Sequence, residues 1–100
     1  MDEADALVWD VGNLGHLRSG VSRDEPDALY DSGRYEVFGD WYANSQGHEA
    51  WQTRIVGQTL AGRYLTIACE VLDDGRYRPV TVWPSSKSEV AAYRRLNQDD

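Results

Sequence analysis

A single cysteine, Cys69, in 100 residues leaves no intrachain disulfide possible. That excludes the cross-linked framework on which many small secreted domains depend. The opening residues, Met1-Asp2-Glu3-Ala4-Asp5, have neither the positive charge nor the apolar run of a signal peptide. No stretch approaches the ~18 apolar residues of a membrane helix. These features predict a cytoplasmic protein that does not enter a membrane. One cysteine and two histidines at distant positions give no zinc-ligand spacing. No glycine-rich phosphate loop opens a helix, and no serine sits in a nucleophile elbow. Neither a metal nor a cofactor is expected. Positive charge is also scarce, with a formal net charge of −7. A free-standing nucleic-acid binder is usually basic, because phosphate contacts supply much of its affinity.

The composition is that of an ordinary globular domain, 41% hydrophobic and 27% charged. The length suits one domain over residues 1–100, with one core. Charge is unevenly spread. Residues 1–50 hold 11 acids and 3 bases, whereas residues 51–100 hold 6 acids and 7 bases. A face for an anion belongs to the second half. The acidic half serves solubility or offers a surface to a basic partner.

Periodicity predicts an α+β order. Leu7-Val8-Trp9 reads as a short edge strand, and Asp10 caps a weak helix through Gly12, Leu14, His16 and Leu17, closed by Gly20. Ser22 and Glu25 have capping-box spacing, predicting a second helix to about Tyr30, with Pro26 near its first turn and Gly33 after it. Tyr35, Val37 and Phe38 begin a strand, and Trp41 to Gly47 reads as a loop. Trp51 to Leu60 alternates, with Thr53 and Ile55 on one side and Arg54 and Val56 on the other. Arg63 to Leu72 is the clearest strand, its period of two predicting a half-buried sheet. Asp73-Asp74-Gly75 is a hairpin signal, and Tyr77 to Trp83 returns with Pro79 at an edge or bulge. Ser86 and Glu89 repeat the capping-box spacing before a last helix carrying Val90, Tyr93 and Leu96.

The chemistry worth weighing is a cluster of cations and rings in the second half: Arg54, Arg63, Tyr64, Arg76, Arg78, Lys87, Tyr93, Arg94 and Arg95. RNA cleavage without a metal needs a base, an acid and cations for the charged phosphorane. Tyrosine rings can stack a splayed base. The plain alternative is that these arginines balance neighbouring acids. His16 is a candidate base or a histidine holding a backbone carbonyl. Cys69, on the apolar face of a strand, reads as an inert core residue. Most of the tryptophans, Trp9, Trp41, Trp51 and Trp83, are expected in the core, with Trp41 the one placed to meet a partner.

Val8-Trp9-Asp10, Asn13-Leu14, His16-Leu17 and Gly20-Val21-Ser22 resemble the opening of BrnT-type toxins. Gly57-Gln58-Thr59 with Gly62-Arg63-Tyr64-Leu65 resembles that family's Gly-x-Thr, Gly-Arg hairpin. Arg78-Pro79-Val80-Thr81, then Lys87, Glu89 and Tyr93, resemble its last strand and closing helix. The resemblance implies a RelE-like fold, N-terminal helices on a curved antiparallel β-sheet with a C-terminal helix. It implies a ribonuclease toxin of a type II toxin–antitoxin system, which inhibits translation by RNA cleavage. Its partner would be a ribbon-helix-helix, BrnA-like antitoxin, with a toxin homodimer inside the complex. On this reading Arg63 and Arg78 hold the phosphate, Lys87 adds charge at the cleft edge, and Tyr93 or His16 moves the proton. Glu89 caps the helix or acts as a base. The sequence departs from the family pattern at Ser19, where a histidine is usual, and at Trp83-Pro84, where an Arg-Lys pair is common. Those departures motivate a second expectation, a non-catalytic, diverged BrnT-like module that sequesters a protein partner.

Overall fold

The computed structural model describes residues 6–14, 17, 21–43 and 46–97. Its elements are α1 (Val11–Leu14), α2 (Asp24–Ser32), β1 (Tyr35–Ala43), β2 (Glu49–Gln58), β3 (Tyr64–Val71), β4 (Tyr77–Pro84) and α3 (Lys87–Leu96). The four strands form one antiparallel meander in the order β1-β2-β3-β4. The chain is thus α+β, with helical segments before the sheet and a helix after it.

Each element begins or ends for a local reason. The Asp10 carboxylate accepts from the Gly12 and Asn13 amides at 2.9 and 3.1 Å, capping α1. The helix is shorter than expected, because Leu17 already lies in a parallel bridge to Val82 of β4. Gly33, at φ 74°, closes α2 in the left-handed conformation that favours glycine. The capping box expected at Ser22 is not formed; the Glu25 carboxylate instead binds Arg63 at 3.0 Å. At Ser86 the box is complete, with the Glu89 amide and carboxylate both engaged. Leu72 to Arg76 turns through Gly75 at φ 87°, as the Asp-Asp-Gly signal predicts.

β1 runs on to Ala43, pairing Trp41 with Trp51, so the first three residues of the segment expected as a loop, Trp41 to Ala43, are strand. β3 pairs with β2 only over Thr53–Gln58, so the outer end of the β1–β2 hairpin projects beyond the rest of the sheet.

The sheet is covered on both faces. Ile55, Leu65, Ile67 and Cys69 share one face and pack with Leu7, Val21, Leu29 and Val82. On the other face, expected to be half-exposed, α3 packs against β1 and β2, and Val56, Thr66 and Ala68 are buried. Gly57 is required for close approach: a Cβ there would lie 2.5 Å from the Arg34 carbonyl oxygen.

The two sheet edges differ. β4 carries a bulge opposite Ala68/Cys69 and is strapped by the N-terminal segment. Val8 donates its amide to the Tyr77 carbonyl at 2.9 Å. Asn13, only 2% exposed, donates to the Val8 and Pro79 carbonyls at 2.8 Å each. β1, by contrast, is the far boundary of the sheet.

Candidate functional site

Of the five residues singled out from the sequence, the four that are described do not all converge. His16 lies outside the described residues. Arg63 precedes β3 and is clasped by both oxygens of Glu25 on α2, at 3.0 and 3.2 Å. Arg78 stands near the opposite end of that strand pair, across from Glu70. At roughly 3.3 Å per residue, the seven steps from position 63 to position 70 place the two arginines ~23 Å apart. One phosphate cannot bridge them. Arg78 is moreover engaged through all three of its nitrogens: its guanidinium binds Asp10 through two bonds of 3.0 Å and Glu70 through one of 3.2 Å. The hydrogen bonds that Arg78 donates to Asp10, ahead of the burial that opposes them, raise the pKa of Arg78, and the same pairing lowers that of Asp10. Lys87 is exposed in the first turn of α3. It lies ~9 Å along the helix axis from Tyr93, taking 1.5 Å per residue. Glu89 is held as a cap and a structural hub. It binds Arg54 at 3.0 Å, the Trp83 indole at 3.1 Å and the Ser86 amide at 2.8 Å. Burial alone would raise its pKa, but these bonds outweigh it and hold the carboxyl below its ordinary value.

Tyr93 is the candidate that does lie in a cleft. An open concavity of about 680 Å³ is lined by Gly33, Arg34, Gln58, Tyr64, Tyr93, Arg94 and Asn97. Gly33, by turning the chain out of α2, places Arg34 at the entry to β1. Gln58 and Tyr64 come from the facing ends of β2 and β3, which pair there. Tyr93, Arg94 and Asn97 come from the last turns of α3 and its C-cap. The Tyr64 and Tyr93 rings meet edge to face, centroids 5.8 Å apart at 69°. The Tyr93 hydroxyl donates to the Arg34 carbonyl at 3.3 Å.

The electrostatics of this cleft differ from those around Arg63 and Arg78. Among the described residues, neither Arg34 nor Arg94 forms an ion pair. Both are exposed. Arg94 also lies in the last turn of α3, where a cation is favoured by the helix dipole. Burial raises the pKa of Tyr93. The nearby Arg34 charge acts against that rise, and Tyr64 and Glu36 add to it. The phenol is therefore neutral at neutral pH. Glu36 sits beside the cleft, accepting from the Asn97 amide at 3.4 Å. Two cations, a neutral hydroxyl and a pair of rings thus share one concavity, with a carboxylate beside it. They can grip a phosphate, stack a base and exchange protons.

Sequence reasoning included Tyr64, Tyr93 and Arg94 in its cation–aromatic cluster but missed Arg34, Gln58, Glu36 and Asn97. Arg34 lies in the acidic half, where a count by halves hides it. Its signal was the Gly33-Arg34-Tyr35 junction, where a helix stop is followed at once by a strand start. No protein-family model, curated protein or solved structure matches the chain.

Proposed function

We propose that this protein binds and cleaves RNA at the Arg34–Arg94 cleft, as a BrnT-like, RelE-like ribonuclease toxin whose phosphate site has moved away from Arg63 and Arg78. The observation that carries the reading is the pair of guanidiniums, Arg34 and Arg94, with no ion-pair partner among the described residues. They flank the Tyr64–Tyr93 pair in an open cleft. A charge-assisted contact to phosphate costs such arginines no existing ion pair, whereas Arg63 and Arg78 would each have to leave a carboxylate. In the proposed reaction the Glu36 carboxylate takes the proton of a ribose 2′-hydroxyl, whose oxygen attacks the adjacent phosphorus. The bond from phosphorus to the 5′-oxygen breaks, and the Tyr93 hydroxyl gives its proton to that oxygen. The products are a 2′,3′-cyclic phosphate and a 5′-hydroxyl, and exchange with solvent resets Glu36 and Tyr93. Arg34 and Arg94 hold the negative charge that grows on the phosphorane. A ribbon-helix-helix antitoxin, a toxin homodimer and a cytoplasmic location belong to the same proposal.

The test is binding of a fluorescein-labelled single-stranded RNA, followed by anisotropy across a salt series. Wild type should bind with a salt slope that falls by ~0.7 for each phosphate contact removed, in Arg34→Ala and again in Arg94→Ala. Each variant should weaken binding about tenfold or more, the size of a charge-assisted bond. Arg63→Ala and Arg78→Ala should bind as wild type. RNA affinity unchanged in the Arg34 and Arg94 variants would reject the cleft. A second reading, the non-catalytic binding module, is favoured by the net charge of −7 and by the neutralisation of Arg63 and Arg78. It predicts no RNA binding at all.

A further inference from the structure

The two edges of the sheet are treated in opposite ways. Edge strands expose a row of unpaired backbone groups, and proteins usually blunt them with lysine, proline, bulges or a covering segment. β4 has all but the lysine: Pro79, a bulge, and the strap held by Val8 and Asn13. Among the described residues, β1 has none of them. It is nine residues long, in unbroken register with β2, and contains neither lysine nor proline. Its only charges are Glu36 and Asp40.

The surface beside that edge is also unusual. Trp41 and Trp51 form a cross-strand pair, edge to face with centroids 5.8 Å apart. They remain 60% and 57% exposed. A Cβ on Gly39 would come within 2.5 Å of the Trp51 ring, so glycine lets that ring lie flat along β1. Val37 is exposed on the same face. Such a ring pair supports a projecting hairpin, which explains the pairing but not why the described residues leave this edge without protection. Residues 35–53 carry three acids, Glu36, Asp40 and Glu49, and no lysine or arginine.

We propose that β1 is a docking edge that accepts an extended, basic peptide segment as a fifth antiparallel strand. Its backbone pairs with β1, its apolar residues cover Val37 and the two tryptophans, and its lysines or arginines meet the acidic charge of the hairpin. A second copy of this chain is disfavoured as occupant, because it would bring the same acidic edge against itself. Glu36 is the one residue that this proposal shares with the RNA reading, and the tryptophans lie on the opposite face of the sheet from the cleft.

The probe is a seven-residue capped peptide alternating lysine and valine, titrated into the full chain by calorimetry and by amide chemical shifts. It should bind, with the largest shifts in β1. Replacing its lysines by glutamate, or methylating alternate backbone nitrogens, should each weaken binding at least tenfold. So should the protein variants Trp41→Ala/Trp51→Ala and Val37→Lys, with circular dichroism confirming that they fold. Val37→Lys places a cation at an exposed position on that edge. No binding of the lysine–valine peptide would overturn the proposal. So would equal binding of the methylated or glutamate peptide, or a concentration-dependent dimer that occupies β1 in its place.

Discussion

Replacing Asn13 by alanine should be among the most damaging single changes in the chain, although Asn13 lies outside the proposed cleft. The side chain is 2% exposed and makes three hydrogen bonds. Its amide nitrogen donates to the Val8 and Pro79 carbonyls at 2.8 Å, and its oxygen accepts from the Asp10 amide at 2.7 Å. Each bond is worth about 1 kcal/mol net, and a buried partner left unsatisfied costs about 1–3 kcal/mol. Pro79 is buried, so its carbonyl cannot recover a partner from water without the strap lifting. The expected loss is therefore about 3–5 kcal/mol, a large share of the ~5–15 kcal/mol that a domain of this size holds. At ~4–8 °C per kcal/mol, Tm should fall by at least ~12 °C. Asn13→Asp should be no better, because it turns a donor to two carbonyls into an acceptor. Urea unfolding followed by circular dichroism reads the change as a lower midpoint at unchanged slope. A Tm within ~3 °C of wild type would refute the claim that this amide staples the N-terminal segment to β4.

Other predictions follow from single contacts. Gly57→Ala would drive a Cβ to 2.5 Å from the Arg34 carbonyl oxygen and 2.8 Å from Tyr35 Cβ, so it should cost about 1–3 kcal/mol in the same unfolding assay. Cys69 is buried, and burial pushes its thiol up to about 12. It should stay unreactive to a disulfide reagent at pH 8 in the native protein and react at once in denaturant. Glu89 has a folded pKa held below its unfolded value, so its contribution to stability is present above the unfolded pKa and lost as pH falls through the folded one. Glu89→Gln should therefore flatten the acid limb of the stability curve below about pH 4.5. Tyr93→Phe should leave RNA affinity within about twofold while slowing cleavage by ~10²–10⁴, the range of a lost acid.

What the sequence made legible was mostly local. The Asp10 cap, the Gly33 stop, the Asp-Asp-Gly hairpin and the Ser86 box each depend on residues within a few positions, and each is formed. The Ser22–Glu25 box failed for a non-local reason, since Arg63 reaches Glu25 from 38 residues away. Trp41 to Ala43, the end of β1, reads as a loop because polar residues and a glycine follow it up to Gly47. Only pairing with Glu49 to Trp51 makes it a strand. Thr66 and Ala68 carry no sign in the sequence that they are buried. The same limit explains the site. Neither Asp10 nor Glu25 marks itself in the sequence as the partner of an arginine far along the chain, so Arg63 and Arg78 looked available. Arg34 looked unremarkable until the C-terminal turn of α3 met it. The motif residues that resemble a toxin opening have clear structural work here: Trp9 donates to Asp27 at 2.7 Å, Asp10 binds Arg78, and Asn13 holds the strap.

The most direct test of the account is incubation of the purified protein with a defined single-stranded RNA, with the ends of any fragments analysed chemically. Wild type should yield fragments ending in 2′,3′-cyclic phosphate and 5′-hydroxyl. Arg34→Ala/Arg94→Ala should abolish them, and Arg63→Ala/Arg78→Ala should not, with all proteins folded by circular dichroism. Intact RNA with the wild-type protein, or cleavage that survives loss of Arg34 and Arg94, would contradict it.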